Sequence, residues 1–404
     1  MEHQLASQES RPHVLAVPFP AQGHVMPLMK LCQKIANRGI KVTFVNAEHI
    51  HAKLLVAMSD EVKKQHCIEL TSIPDGLQTE EDIKKGLIES LRRTYPRNLT
   101  RLIEKINFEN SDEKISCVIA DTLLIGLIHD VSRKMGAELV AFQFGAAADL
   151  ALVLQIPKLI QDGSLDTNGF AMKSDLISLS NEIPEWRRNE LPWSVPDNSK
   201  SPASGGSFLV EDTTCLSWLD KQKIGSVIYV SFGSLVILSQ DQLNEIALAL
   251  ELSDQPFLWV VRSNFANPNG FLERVAERAK IVEWAPQEQV LSHSSIGCFV
   301  SHCGWNSTME GLSMGVPFLC WPHFWDQFHN QHYICDTWKN GLRLNADENG
   351  LRSRNEIKTK IEMLFADPSI KANALKLKEM AHRSVSESGS SLQNFETFID
   401  HLKK

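Results

Sequence analysis

Residues 13–46, HVLAVPFPAQGHVMPLMKLCQKIANRGIKVTFVN, read in succession as a strand, a helix and a second strand. The opening run, 13–18, is apolar and too short for a helix, the pattern of a strand buried on both faces. After the turn at 20–23, Leu28, Leu31 and Ile35 recur on one helical face. That pattern stops at Asn37-Arg38-Gly39, where a glycine ends the helix. Residues 41–45, KVTFV, form the second strand. A helical crossover joins parallel strands, so this stretch predicts a βαβ unit.

Further along, 115–120 and 138–142 predict two more strands, with a helix at about 123–135 between them. The second half repeats the alternation. Strands are predicted at 226–232, 257–262, 280–283, 297–301 and 317–321, and helices at 240–252 and 306–314. From about residue 354 the chain reads as mostly helical. Between the halves, 194–206 (SVPDNSKSPASGG) is rich in Ser, Pro, Gly and Asn and nearly free of apolar residues, which predicts a linker. The expected class is therefore α/β, with two doubly wound, Rossmann-like parallel sheets facing a central cleft that holds ligand.

The totals agree with two domains and narrow the functions. The chain has 404 residues, 43% hydrophobic and 22% charged, a globular balance. A net charge of −8 offers no basic surplus for a nucleic-acid partner. No run long enough for a membrane span is present, and the first residues carry no apolar leader segment. The eight cysteines are scattered, and several lie in apolar runs, as expected of reduced, buried thiols in a cytoplasmic protein. His293, Cys298, His302, Cys303, Cys320 and His323 lack the paired short spacing of a zinc site, so no metal is expected. The dinucleotide fingerprint and the P-loop are absent too, which argues against a dehydrogenase or a kinase.

Ligands of open α/β sheets gather at the carboxyl ends of the strands. His24 lies just past the first strand and Asp121 at the end of the strand beginning at Ile115. If those strands are neighbours, the carboxylate can orient the imidazole and favour its protonated form, making His24 a candidate base. Asp121 can equally serve as a helix cap.

Residues 284–327, WAPQEQVLSHSSIGCFVSHCGWNSTMEGLSMGVPFLCWPHFWDQ, carry the sharpest signal. The stretch resembles, nearly position for position, the donor-binding box of the plant family 1 UDP-dependent glycosyltransferases. The segments VPFPAQGHVMPL, SIPDGL (72–77), VIADTL (118–123), CLSWLDKQ and SVIYVSFGSL resemble that family as well. The resemblance implies the two-domain fold called GT-B. It also implies a domain order: an acceptor-binding domain at 1–193, a linker at 194–210, a UDP-sugar-binding domain at 211–385, and a closing helix at 386–404 that packs back on the first domain.

Each residue of the box has chemistry suited to that role. Trp284 offers a flat face for uracil, with Ala285 beside it, and Gln287 has donor and acceptor atoms for the uridine. His302, Gly304, Trp305, Asn306 and Ser307 span a strand-to-helix turn whose backbone N–H groups favour a diphosphate. Ser234, in a second strand-end turn, adds to that cradle. Glu310 is placed for ribose hydroxyls, and Asp326 and Gln327 resemble the pair that binds the sugar, Gln327 pointing to glucose.

The mechanism implied is inversion by direct displacement. His24, oriented by Asp121, takes the acceptor's proton, and UDP leaves without a metal or other cofactor. The expected partners are UDP-glucose and a small hydroxyl-bearing acceptor held near Phe19, Phe142 and Phe144 and the segments 74–100 and 180–193; a monomer is expected. Two departures from the family pattern stand out. Residues 142–148 carry no Ser or Thr, and the first domain lacks the last strands of typical members, which predicts an exposed sheet edge. A truncated protein that binds UDP-sugar without efficient transfer is thus the alternative, and transfer to nitrogen or sulfur a third reading.

Overall fold

The computed structural model describes residues 12–57, 68–77, 80–172, 176–193, 211–262 and 265–404; the linker expected at 194–210 lies outside the described residues. The chain divides into two compact units.

The first unit contains the described residues up to Phe144 and those from Gly389 to the end. Its strands are β1 (His13–Val17), β2 (Lys41–Ala47), β3 (Ile68–Ile73), β4 (Ile115–Asp121) and β5 (Glu138–Phe142), in the order β3-β2-β1-β4-β5. All four pairings are parallel. The chain runs outward from β1 to β3, crosses back to β4 beside β1, and runs outward again. The order therefore reverses between β1 and β4, where Val17 pairs with Ala120. Burial explains the unbroken apolar run of β1, since Val14, Leu15, Ala16 and Val17 are fully enclosed. The closing helix Ser390–Leu402 joins this unit through Ile399 and Leu402 in its core, an Arg38–Glu396 ion pair and a 2.9 Å contact between His401 and Glu138.

Among the described residues no strand pairs beyond β5. Leu139 and Val140 there are only half-buried, whereas Val118, Ile119 and Ala120 of β4 are fully buried. Among the described residues β5 is thus an edge strand of this sheet.

The second unit contains the described residues 145–193 and 211–388. It holds a short antiparallel hairpin, β6 (Leu176–Ile177) with β7 (Trp186–Arg187), and a parallel sheet. That sheet comprises β8 (Val227–Ser231), β9 (Phe257–Val260), β10 (Ala279–Val282), β11 (Ile296–Ser301), β12 (Phe318–Cys320) and β13 (Gly341–Arg343), in the order β10-β9-β8-β11-β12-β13. Strand side chains alternate between faces, so each strand feeds two cores. From β8, Ile228 and Val230 join Trp259 and Trp321 in one core, while Val227 and Tyr229 join Phe299 and Phe318 in the other.

Sequence periodicity located the sheet strands at 13–17, 41–47, 115–121 and 138–142 and five of the six in the second sheet. It missed β3, whose residues alternate weakly, and β13, which is three residues long. The expected boundary at 193 also differs from the packing, because 145–193 groups with the second unit. Leu152 and Leu159 of the helix Ala147–Gln161 cluster with Trp186 and Leu191, and Tyr333 packs against them. His329 donates from Nε2 to the Pro184 carbonyl at 2.9 Å, and His332 contacts Glu190 at 2.8 Å. Composition marks where a chain is polar; the apolar contacts that set a unit's edge are non-local.

Candidate active site

Each sheet presents its candidate residues where its strand order reverses, the crevice at which open α/β sheets bind ligands. In the first unit, His24 stands in the first turn of the helix Gln22–Ala36, directly after β1. Asp121 is the last residue of β4 and is wholly buried. Because β1 and β4 are neighbours, the side chains meet: His24 Nδ1 donates to Asp121 Oδ2 at 2.7 Å. The other oxygen, Oδ1, accepts from Leu123 N at 2.9 Å and caps a short 3₁₀ turn. Asp121 therefore fills both roles that the sequence left open. With Nδ1–H committed to the carboxylate, the imidazole lone pair resides on Nε2, so the ring can accept a proton there.

Aromatic residues crowd this histidine. The Phe144 and Phe19 rings lie 3.8 and 5.1 Å from it, centroid to centroid. Phe142, expected beside them, pairs with Asp121 in the sheet and packs against the unit's core. A second pair went unread in the sequence: His49 Nδ1 donates to Asp75 Oδ2 at 2.6 Å. Ser90 and Thr94 donate to the Asp75 carbonyl, so these bonds pin the loop after β3. The 180–193 segment, expected near the acceptor in the first domain, belongs instead to the second unit.

In the second unit the reversal lies between β8 and β11. The turn after β8 carries Gly233 and Ser234, and the turn after β11 carries His302, Cys303 and Gly304 before the helix Trp305–Met314. The two turns press on the His302 ring from both sides. A Cβ on Gly233 would lie 2.8 Å from that ring and one on Gly304 2.5 Å, so only glycine lets both backbones approach. Cys303 between them has φ +63°, a conformation costly for a side chain with a Cβ and typical of functional turns. The first turn of the helix places Trp305, Asn306 and Ser307 at its positive end.

Gln287, at the start of the helix Gln287–Ser292, ties this region together. Its amide donates to Ser307 Oγ at 2.8 Å and Glu310 Oε2 at 2.7 Å, while its oxygen accepts from the Tyr229 hydroxyl at 3.1 Å. Tyr229 was not singled out in the sequence, because a strand tyrosine reads as core. Trp284 is half-buried beside the buried Ala285. Asp326 Oδ2 accepts from Asn330 at 2.8 Å. Gln327 turns its oxygen back to the N–H groups of His323 and Phe324, at 2.9 and 3.2 Å, which leaves its NH₂ as the group to offer a ligand. Ser234 accepts at its carbonyl from Arg262.

Burial lowers His302 to about 4, so the ring is neutral at physiological pH and interacts as a hydrogen-bonding group rather than a cation. Burial likewise lowers His329 to about 4 and His323 to about 3. In the unfolded chain each titrates near 6.5. Between about pH 6.5 and 4 the unfolded state therefore binds more protons, and stability falls as pH falls. We expect the second unit to be less stable at pH 5 than at pH 7, by on the order of 1–2 kcal/mol per histidine, and its Tm to fall with it. An unchanged or raised Tm at pH 5 would contradict this.

Among the described residues no group of three or more His, Cys, Asp or Glu side chains is placed to hold a metal ion, the seven described cysteines are free, and no helix is long and apolar enough to cross a membrane.

Comparison with known proteins adds an independent line. Residues 212–386 match the family described as UDP-glucoronosyl and UDP-glucosyl transferase, and residues 11–67 match a glycosyltransferase N-terminal domain. Similarity to UDP-glycosyltransferase 83A1 of Arabidopsis thaliana runs over 466 residues at 37% identity, covering all of this chain and 99% of that protein. Linamarin synthase 1 of Manihot esculenta is 30% identical, with 98% of each covered. Among solved structures, a UDP-glucose: anthocyanidin 3-O-glucosyltransferase in complex with UDP superposes with a TM-score of 0.80 at 26% identity, over 98% of this chain and 99% of the other. Phytolacca americana UGT2, complexed with UDP-2fluoro-glucose and pterostilbene, gives 0.81 at 25% identity, over 97% and 99%.

Proposed function

Because this chain belongs to the plant family 1 UDP-glycosyltransferases, with their GT-B fold, we propose that it moves glucose from UDP-glucose to a hydroxyl of a small lipophilic metabolite or hormone, giving a β-glucoside. The enzyme class and the use of a UDP-sugar with a small plant metabolite follow from membership. Glucose, the hydroxyl acceptor and inversion at the anomeric carbon are the proposed part. The observation that carries it is the buried His24–Asp121 pair at the reversal point of the first sheet.

In this reading Nε2 of His24 removes the acceptor's proton as the acceptor oxygen bonds to the sugar C1. The bond from C1 to the β-phosphate oxygen breaks, and its electron pair leaves with UDP. Attack from the face opposite UDP turns an α-linked donor into a β-linked product. The second unit holds the donor: Trp284 stacks on uracil beside Ala285, and Gln287 and Glu310 meet the uridine. Backbone N–H groups from Gly304 to Ser307, the neutral His302, Asn306 and Ser234 receive the diphosphate charge as it develops. Asp326 and Gln327 face the sugar, Trp305 stands in the turn that holds the diphosphate, and Phe19 and Phe144 offer the acceptor an apolar surface. No metal ion or other cofactor takes part in these steps.

A screen of the purified protein with UDP-glucose against phenolic and terpenoid acceptors tests this, reading released UDP and product mass together. The expected result is UDP release that depends on the acceptor, with a product one hexose heavier and cleavable by a β-glucosidase. The half-exposed β5 edge favours one other outcome, a chain that binds UDP-sugar without efficient transfer. UDP binding with no acceptor-dependent release across the panel would select that reading.

A further inference from the structure

Behind the two donor turns of the second unit stands a half-buried arginine that the proposed reaction does not use. Arg352 directly precedes Ser353, the N-cap of the helix Arg354–Ala366. Its backbone is clamped by the amide of the buried Gln242, in the helix Gln240–Leu252. Gln242 Oε1 accepts from Arg352 N at 2.9 Å, and Gln242 Nε2 donates to the Arg352 carbonyl at 2.8 Å. The side chain donates from Nε to the Leu344 carbonyl at 3.1 Å, which sets the guanidinium 5.0 Å from the centre of the Trp321 ring. An arginine at that distance from an indole makes a cation–π contact.

Trp321, itself fully buried, joins this cation to both donor turns. Its backbone N–H donates to the carbonyl of Ser301, the residue before His302, at 2.8 Å. Its ring meets that of Phe232, the residue before Gly233, at 5.2 Å. Desolvation lowers Arg352 to about 10, which leaves it a cation at physiological pH. Among the described residues no carboxylate pairs with it, whereas the nearby Arg354 is paired with Glu245. Other groups at the turns supply less charge. His302 and His323 are neutral, and Arg262, which donates to the Ser234 carbonyl, is exposed and screened by water.

We propose that Arg352 supplies fixed positive charge from behind the donor turns, acting on the diphosphate of the UDP-sugar through the packed Trp321 and Phe232 rings without touching it. The rings exclude water and salt, so the charge is felt more strongly than one at the surface. The diphosphate in turn compensates a desolvated cation that has no carboxylate of its own. Uridine alone carries no charge and gains nothing from it.

The inference rests on the donor reading above, and its test separates the two. Calorimetric titrations of UDP and of uridine are made on the wild type and on Arg352→Gln, Arg352→Met and Arg352→Lys. The Gln242 clamp holds the backbone and survives all three, and glutamine also keeps an N–H for the Leu344 carbonyl should methionine fail to fold. Removing the charge should weaken UDP binding by about tenfold and leave uridine binding within about twofold. Lysine, which keeps the charge, should bind UDP within about threefold of the wild type. Equal losses for UDP and uridine would make Arg352 a packing residue and overturn the inference. A lysine variant as weak as the glutamine one would overturn it too, and so would neutral variants that bind UDP as the wild type does. Wild-type protein that ignores UDP would overturn the donor reading itself.

Discussion

Replacing His24 by Ala is expected to slow sugar transfer by about 10²–10⁴-fold while leaving UDP affinity as it was. The size follows from what is removed. An acceptor hydroxyl is a poor nucleophile until its proton can leave, and Nε2 of His24 is the proton acceptor that the Asp121 bond prepares. The carboxylate secures the tautomer, because a donating Nδ1–H keeps the lone pair on the other nitrogen. It also stabilises the imidazolium once the proton has moved. The residues proposed to hold UDP lie in the second unit, so donor binding has no reason to change. Single-turnover transfer and a UDP titration on the same variant check both halves. Transfer at the wild-type rate would show that another group, or water, takes the proton.

Trp284→Ala is expected to weaken UDP binding by roughly 10–100-fold, the loss of one base-stacking platform worth about 1–3 kcal/mol. The prediction distinguishes Trp284 from the fully buried tryptophans of the parallel sheet. Trp259 and Trp321 are fully buried and form part of a core, so truncating them would unfold the protein before it informed on binding. Trp284 is half-buried, and its structural bond runs through its carbonyl, which accepts from Asp212 N at 3.0 Å and survives the substitution. Trp284→Phe keeps an aromatic face and should retain most of the affinity. An alanine variant that binds UDP as the wild type does would remove the stacking role.

Much of this molecule is legible without coordinates. The alternation of short apolar runs with helical faces specifies two parallel α/β sheets, because a buried strand must be apolar on both sides and a crossover helix on only one. The contiguous stretch 284–327 carries most of the proposed donor residues, and a strand-to-helix turn presents them locally, whatever the rest of the chain does. Even the pairing of His24 with Asp121 follows from the sequence once their strands are neighbours, and β1 and β4 meet that condition.

What sequence left undecided depends on contacts between residues far apart in the chain. Gln287 reads as a uridine ligand, yet only packing shows it bound to Tyr229, Ser307 and Glu310 at once. Phe142 and Phe144 are two residues apart and look alike; the pleat sends one to the core and the fold sets the other against His24. Asp149 gave no signal, since an acidic residue in a first helical turn is ordinary. Its place beside His329, 3.7 Å away, arises because the segment 145–193 buries its apolar residues on the second unit. Local patterns specify secondary structure and short motifs through neighbouring residues, whereas the burial that sets a carboxylate against a distant imidazole is a property of the whole packed unit.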